Sequence, residues 1–132
     1  MNANLNKIAS GLAFIMGMMA VFSGGQTLLG KVPDYYVIDW LPLYNYTVGL
    51  LTLFVTARLI WTNSKLAAPT SIITFSLHAF IMLILQSAYR DVVAMDSILA
   101  MTLRLMTWFV ILLLLFLQIS ASARQAELLA PG

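Results

Sequence analysis

Four apolar runs, each close to the ~20 residues a helix needs to cross a ~30 Å hydrocarbon core, occupy most of this 132-residue chain, at about 8–29, 40–62, 70–87 and 98–120. A chain divided this way has no segment left from which to build a separate water-soluble core. Its composition agrees: 61% of the residues are hydrophobic and 9% charged, where a soluble domain carries about 25% charged residues. The expected fold is all-α, one integral membrane domain over 1–132. It is read as a four-helix bundle of antiparallel, up-down neighbours, with both termini on the same side and a short tail at 121–132. The breaks carry their own signals, in Lys31-Val32-Pro33-Asp34, in Asn63-Ser64-Lys65 ahead of Pro69, and from Tyr89-Arg90-Asp91 to Asp96-Ser97. Pro69 suits a first helical turn, and Asp39 and Asp96 stand where N-caps are expected.

Basic residues near the span ends divide unequally. Lys7, Arg58, Lys65 and Arg124 fall on the face shared by the termini, and Lys31 and Arg90 on the other. The positive-inside rule then places the termini in the cytoplasm, with the chain in a bacterial inner membrane. The opening MNANLNK leads into an apolar run that lacks the small residues of a cleavage site, so it reads as a retained first helix. The opposite face carries Asp34, Asp39, Asp91 and Asp96 with Tyr35, Tyr36, Trp40 and Tyr89. These read as capped helix starts within an aromatic belt. The alternative is a duplicated hairpin or a cation site, although a five-residue Asp spacing does not place a pair on one helical face.

Composition also removes whole chemistries. With no cysteine and a single histidine, thiol redox, iron–sulfur ligation, bis-histidine haem and an ordinary metal cluster are beyond one chain. No run of four or more basic residues points to nucleic acid. No covalently bound cofactor and no metal site is expected, and no catalytic constellation is present.

Membrane helices turn small and polar residues toward one another, and at about 100° per residue each run has such a stripe. They are Ser10, Ala13, Gly17, Ala20, Gly24 and Thr27; Asn45, Gly49, Thr52 and Thr56; Ser71, Thr74 and His78, continued by Met82 and Leu85; and Ala100, Arg104, Thr107, Ile111 and Gln118. Ala13-x3-Gly17 and Ala20-x3-Gly24 are small-x3-small repeats suited to close helix packing, within one chain or between copies. The leucine run at 112–115 suggests contact with lipid or a partner.

Arg104 is the costly residue, because a cation at a helix centre costs ~2.5–3.5 kcal/mol on insertion scales. Counted from its span end it lies roughly 10 Å deep, with His78 about 13 Å and Asn45 about 8 Å below the same surface. The three can meet at one level, with Tyr44, Gln86 and the interfacial Asp39 and Asp96 as further partners. One reading is structural: Arg104 snorkels outward or ties helices together through Asp39 or Asp96. The other is a ligand site of Arg104, His78, Asn45, Tyr44 and Gln86 that holds the polar head of a lipid or quinone.

The glycine-rich end of the first run, Gly24-Gly25-Gln26-Thr27-Leu28-Leu29-Gly30-Lys31, is followed by Trp40-Leu41-Pro42 and Leu43-Tyr44-Asn45-Tyr46-Thr47-Val48-Gly49. Met101-Thr102-Leu103-Arg104 and then Trp108 follow in the fourth. In these features the chain resembles the DoxX-like group of small four-helix membrane proteins. That resemblance implies an accessory, quinone-proximal role in a membrane redox complex. Three functions follow as expectations: a non-catalytic accessory subunit with a membrane-embedded protein partner, a homo-oligomeric transporter or channel, and an enzyme using His78 as acid or base. The first is preferred for the leucine-rich outer face and the absence of a catalytic constellation; the third is the weakest, because one histidine without a carboxylate at its depth does not make an acid–base pair.

Overall fold

The computed structural model describes residues 3–31 and 36–130. Pro33, Asp34 and Tyr35, assigned above to a loop, lie outside the described residues, as do the last two residues of the tail. Every regular element among the described residues is helical: α1 (Ala3–Leu28), α2 (Leu41–Leu51), a π-helical segment (Thr52–Thr56), α3 (Ala57–Trp61), α4 (Ala67–Ser87) and α5 (Met95–Leu129). The π segment joins α2 and α3 into one span, Leu41–Trp61. The four resulting helices are each long and apolar enough to cross a membrane.

The helix ends follow local chemistry. Gly30 closes α1 at φ 98°, with its N–H on the Thr27 carbonyl and the Lys31 N–H on that of Gln26, both at 3.0 Å. This is a Schellman cap, in which glycine adopts the left-handed backbone without a Cβ penalty. Asn63 (φ 55°) does the same after α3, where the Ser64 N–H reaches the Leu59 carbonyl at 2.9 Å. At the N-termini the expectation needs correction. Trp40 caps α2 and Ala94 caps α5, neither with a side-chain cap bond. Asp39 precedes the α2 cap and is exposed; Asp96 is exposed in the first turn of α5. There its charge still faces the positive end of the helix dipole. Helix α5 also continues well past residue 120, because Ala121 to Leu129 is made of good helix formers and nothing breaks it before Pro131.

Glycine sets the tightest contact. Gly24 faces Pro42 and Tyr46, Gly17 faces Gly49 and Leu53, and Gly49 faces Ala20 and Val21, so α1 and α2 run antiparallel with their backbones nearly touching. Ala13, Gly17, Ala20 and Gly24 are all buried within the single chain, so the small-residue face packs inside the molecule. Helix α1 also packs along α5, and α5 along α4. Two apolar clusters result. One is built on Ala9, Ala13, Ile60, Trp108, Ile111 and Leu115; the other on Ile38, Leu41, Ile81, Leu85 and Met101. The outer faces carry large apolar side chains such as Phe22, Phe54, Leu83 and Phe109, each at least 60% exposed, as lipid-facing surfaces should.

Buried hydroxyls differ in how they are satisfied. Ser10 Oγ donates to the Ala57 carbonyl at 2.7 Å and ties α1 to the start of α3. Ser71, fully buried, has no partner for its Oγ among the described residues. Ser10→Ala should therefore lower stability by about 0.5–1.5 kcal/mol, and Ser71→Ala should raise it by about 1 kcal/mol, since only the second relieves an unsatisfied group. Thermal unfolding of the two variants in one detergent checks this; shifts of the same sign would refute it.

Candidate functional site

Between the two apolar clusters lies a polar layer. On α5, Arg104 falls between Met101 and Trp108, which belong to opposite clusters, and it is nine-tenths buried. Its Nη1 donates to Asn45 Oδ1 of α2 at 2.6 Å, the short distance expected of a charge-assisted bond. The guanidinium is thus turned inward, and the outward-snorkelling reading is corrected. Beside it, Tyr44 Oη and His78 Nδ1 are hydrogen-bonded at 2.8 Å between α2 and α4, with the rings edge to face at 5.8 Å. The Trp108 ring lies 6.4 Å from that of His78. Three of the four spans therefore supply polar groups to one layer, and α1 closes it with backbone and small residues.

Two cavities share Arg104 and Asn45. The larger, about 40 Å³, opens between the helix ends past Ser23, Gly24, Thr27, Ser97 and Ala100. The smaller, about 10 Å³, lies on the inner side against Thr52, His78 and Trp108. A water needs roughly 10–15 Å³ of such space, so the first admits a headgroup oxygen or a few waters and the second at most one. Small-molecule pockets run to about 300–1,000 Å³. The site as formed therefore takes a polar atom, and a whole quinone ring would have to part the helices.

Of the residues expected at the site, Arg104, Asn45, Tyr44 and His78 come together. Gln86 does not. It is exposed on α4 beside the fully buried Leu85, because His78 and Leu85, seven apart, share a face and the next residue is rotated about 100° away. Two residues were not singled out for the site by sequence reasoning. Trp108, 1% exposed, continues the Arg104 stripe one turn on, and its i+4 spacing could have marked it. Trp40 Nε1 donates to Tyr89 Oη at 3.0 Å, joining two residues of the expected aromatic belt and fixing the start of α2 against the loop after α4.

Comparison with family models, curated proteins and solved structures returns no match. The class rests on the fold itself: a small integral membrane protein of four apolar helices around a buried arginine-centred polar layer.

Proposed function

We propose that this chain is a non-catalytic membrane subunit that holds the anionic or carbonyl oxygen of a membrane lipophile at Arg104, within a larger quinone-linked membrane complex of the kind the DoxX-like resemblance implies. The observation that carries this reading is the inward guanidinium on Asn45 at the floor of a cavity open between helix ends. A lipid headgroup suits it better than a quinone, because one phosphate oxygen fits the space and the acyl chains can lie against the exposed apolar faces outside. Up-down topology with cytoplasmic termini in a bacterial inner membrane belongs to the same proposal, supported by Lys7, Arg58, Lys65 and Arg124 against Lys31 and Arg90.

Native mass spectrometry of the protein released from its own membrane in mild detergent tests the function. The expected result is a hetero-complex with a retained lipid that Arg104→Met loses. A lone chain with no retained lipophile would overturn it. For topology, the cysteine-free sequence allows single-cysteine labelling. Asp91→Cys should react with an impermeant maleimide in intact bacterial cells, and Ser64→Cys only after permeabilisation. The reverse pattern would invert the orientation.

A second reading, a small homo-oligomeric transporter, draws on the inner cavity that continues the polar lining from Arg104 to His78 and Thr52. Proteoliposomes that pass no ion or small solute would remove it.

A further inference from the structure

A cavity much larger than the two at Arg104 lies away from that layer. It is a groove of about 430 Å³ between α1 and the span Leu41–Trp61, lined by Ser10, Gly11, Phe14, Leu53, Ala57, Arg58 and Trp61. Its volume falls within the range of small-molecule sites. Apart from Ser10 and Arg58 its walls are apolar or glycine, and it lies along the outer face of two helices that are long enough to cross the bilayer. Gly11 leaves it open: a Cβ there would meet nothing within 4 Å.

The charges sit at one end. Arg58 is exposed one turn from the end of α3. Lys7 holds its Nζ 3.8 Å from the centroid of the Trp61 ring, a cation–π contact that keeps an ammonium at the rim. Among the described residues neither cation pairs with a carboxylate. Asp39 and Asp91 belong to the connections before α2 and α5 and Asp96 to the first turn of α5, at the far ends of those spans, and Glu127 lies in the last turns of α5. An apolar groove ending in two cations beside an interfacial tryptophan matches a lipid whose acyl chain is apolar and whose headgroup is anionic.

We propose that this groove is a binding site for an anionic phospholipid, with one acyl chain along Gly11, Phe14 and Leu53 and the phosphate at Arg58 and Lys7. It is separate from the Arg104 site and does not depend on it. Electrostatics selects the lipid at the rim, while the groove contributes apolar contact that a neutral lipid shares. Preference between headgroups is therefore the informative quantity.

The test compares full-length protein in detergent with added phosphatidylglycerol or phosphatidylcholine, reading retained lipid by native mass spectrometry and the unfolding midpoint by thermal scan. The wild type should retain phosphatidylglycerol in preference and gain the larger rise in midpoint from it. Arg58→Gln should lose the preference while still binding both lipids weakly. Gly11→Leu puts a side chain into the groove from a position where a Cβ meets nothing within 4 Å, and it should lose retained lipid of both kinds while remaining folded. Arg104→Met should retain one lipid fewer than the wild type, and the lipid left in the groove should still be phosphatidylglycerol in preference, which separates this site from the one at Arg104. Equal retention of the two lipids by the wild type would overturn the proposal. So would an unchanged preference in Arg58→Gln, or a second protein chain instead of lipid released by Gly11→Leu.

Discussion

Gly24→Ala should lose a large part of the bundle's stability, although it adds only one methyl group. The new Cβ would stand 2.6 Å from the Pro42 carbonyl oxygen and 2.8 Å from the Tyr46 nitrogen. Both are backbone atoms of α2, so no rotamer change can make room and the helices must part. Separation there also weakens the contacts that Gly17 and Gly49 make on the same seam. Overpacking in a tight core costs typically 1–3 kcal/mol and occasionally more; a backbone clash belongs at the upper end. Gly11→Ala is the control, since it meets nothing and gains about 1 kcal/mol of helix propensity. Thermal unfolding in one detergent should show Gly24→Ala well below the wild type and Gly11→Ala at or above it. Equal midpoints would mean that α1 and α2 do not approach as described.

The second large effect is an asymmetry within the polar layer. Asn45→Leu removes the acceptor from the Arg104 Nη1 and should cost about 1.5–3 kcal/mol, the range for hydrogen bonds to charged groups. Arg104→Met exchanges the buried cation for a flexible apolar chain and should be much milder, because replacing a buried charge by a well-packed hydrophobe is often neutral or stabilising. The double variant should then be no worse than Asn45→Leu alone, since the guanidinium that lost its Asn45 acceptor is gone. Unfolding midpoints of the three variants measure this directly. Additive losses would show that Arg104 and Asn45 do not act as a pair. A folded Arg104→Met is also the variant needed to examine ligand binding without a change in fold.

Much of the architecture was legible in the residue order. Three of the inward stripes agree closely with the buried positions: Ser10 through Gly24 on α1, Gly49, Thr52 and Thr56 on the second span, and Ser71, Thr74, His78 and Leu85 on α4. The fourth was right at Arg104, Ile111 and Gln118, but Met101 takes the place given to Ala100 and Trp108 that of Thr107. Both shifts are one residue, because selecting small and polar residues overlooks large apolar ones that fill the same face. The acidic caps failed for a related reason. A helix start follows backbone geometry as well as side-chain type, and Pro42 near the start of α2 permits a beginning without an Asp cap.

The π-helical segment left no readable signal. Its defining bond, from the Ala57 N–H to the Thr52 carbonyl, depends on how the span fits against Gly17 and Ser10 of α1, which meet Leu53 and Ala57.

The sequence by itself determined that there are four apolar spans, roughly where each begins and ends, and which side chains turn inward. Those properties are local: helical periodicity and the cost of exposing a polar group to lipid act on each span separately. Only the tertiary structure decided that Arg104 meets Asn45, that Tyr44 meets His78, that Gln86 stays outside and that a groove remains beside Gly11. Such pairings depend on how far each helix is rotated and shifted against its neighbour, and a difference of one residue, about 100° and 1.5 Å, changes every partner.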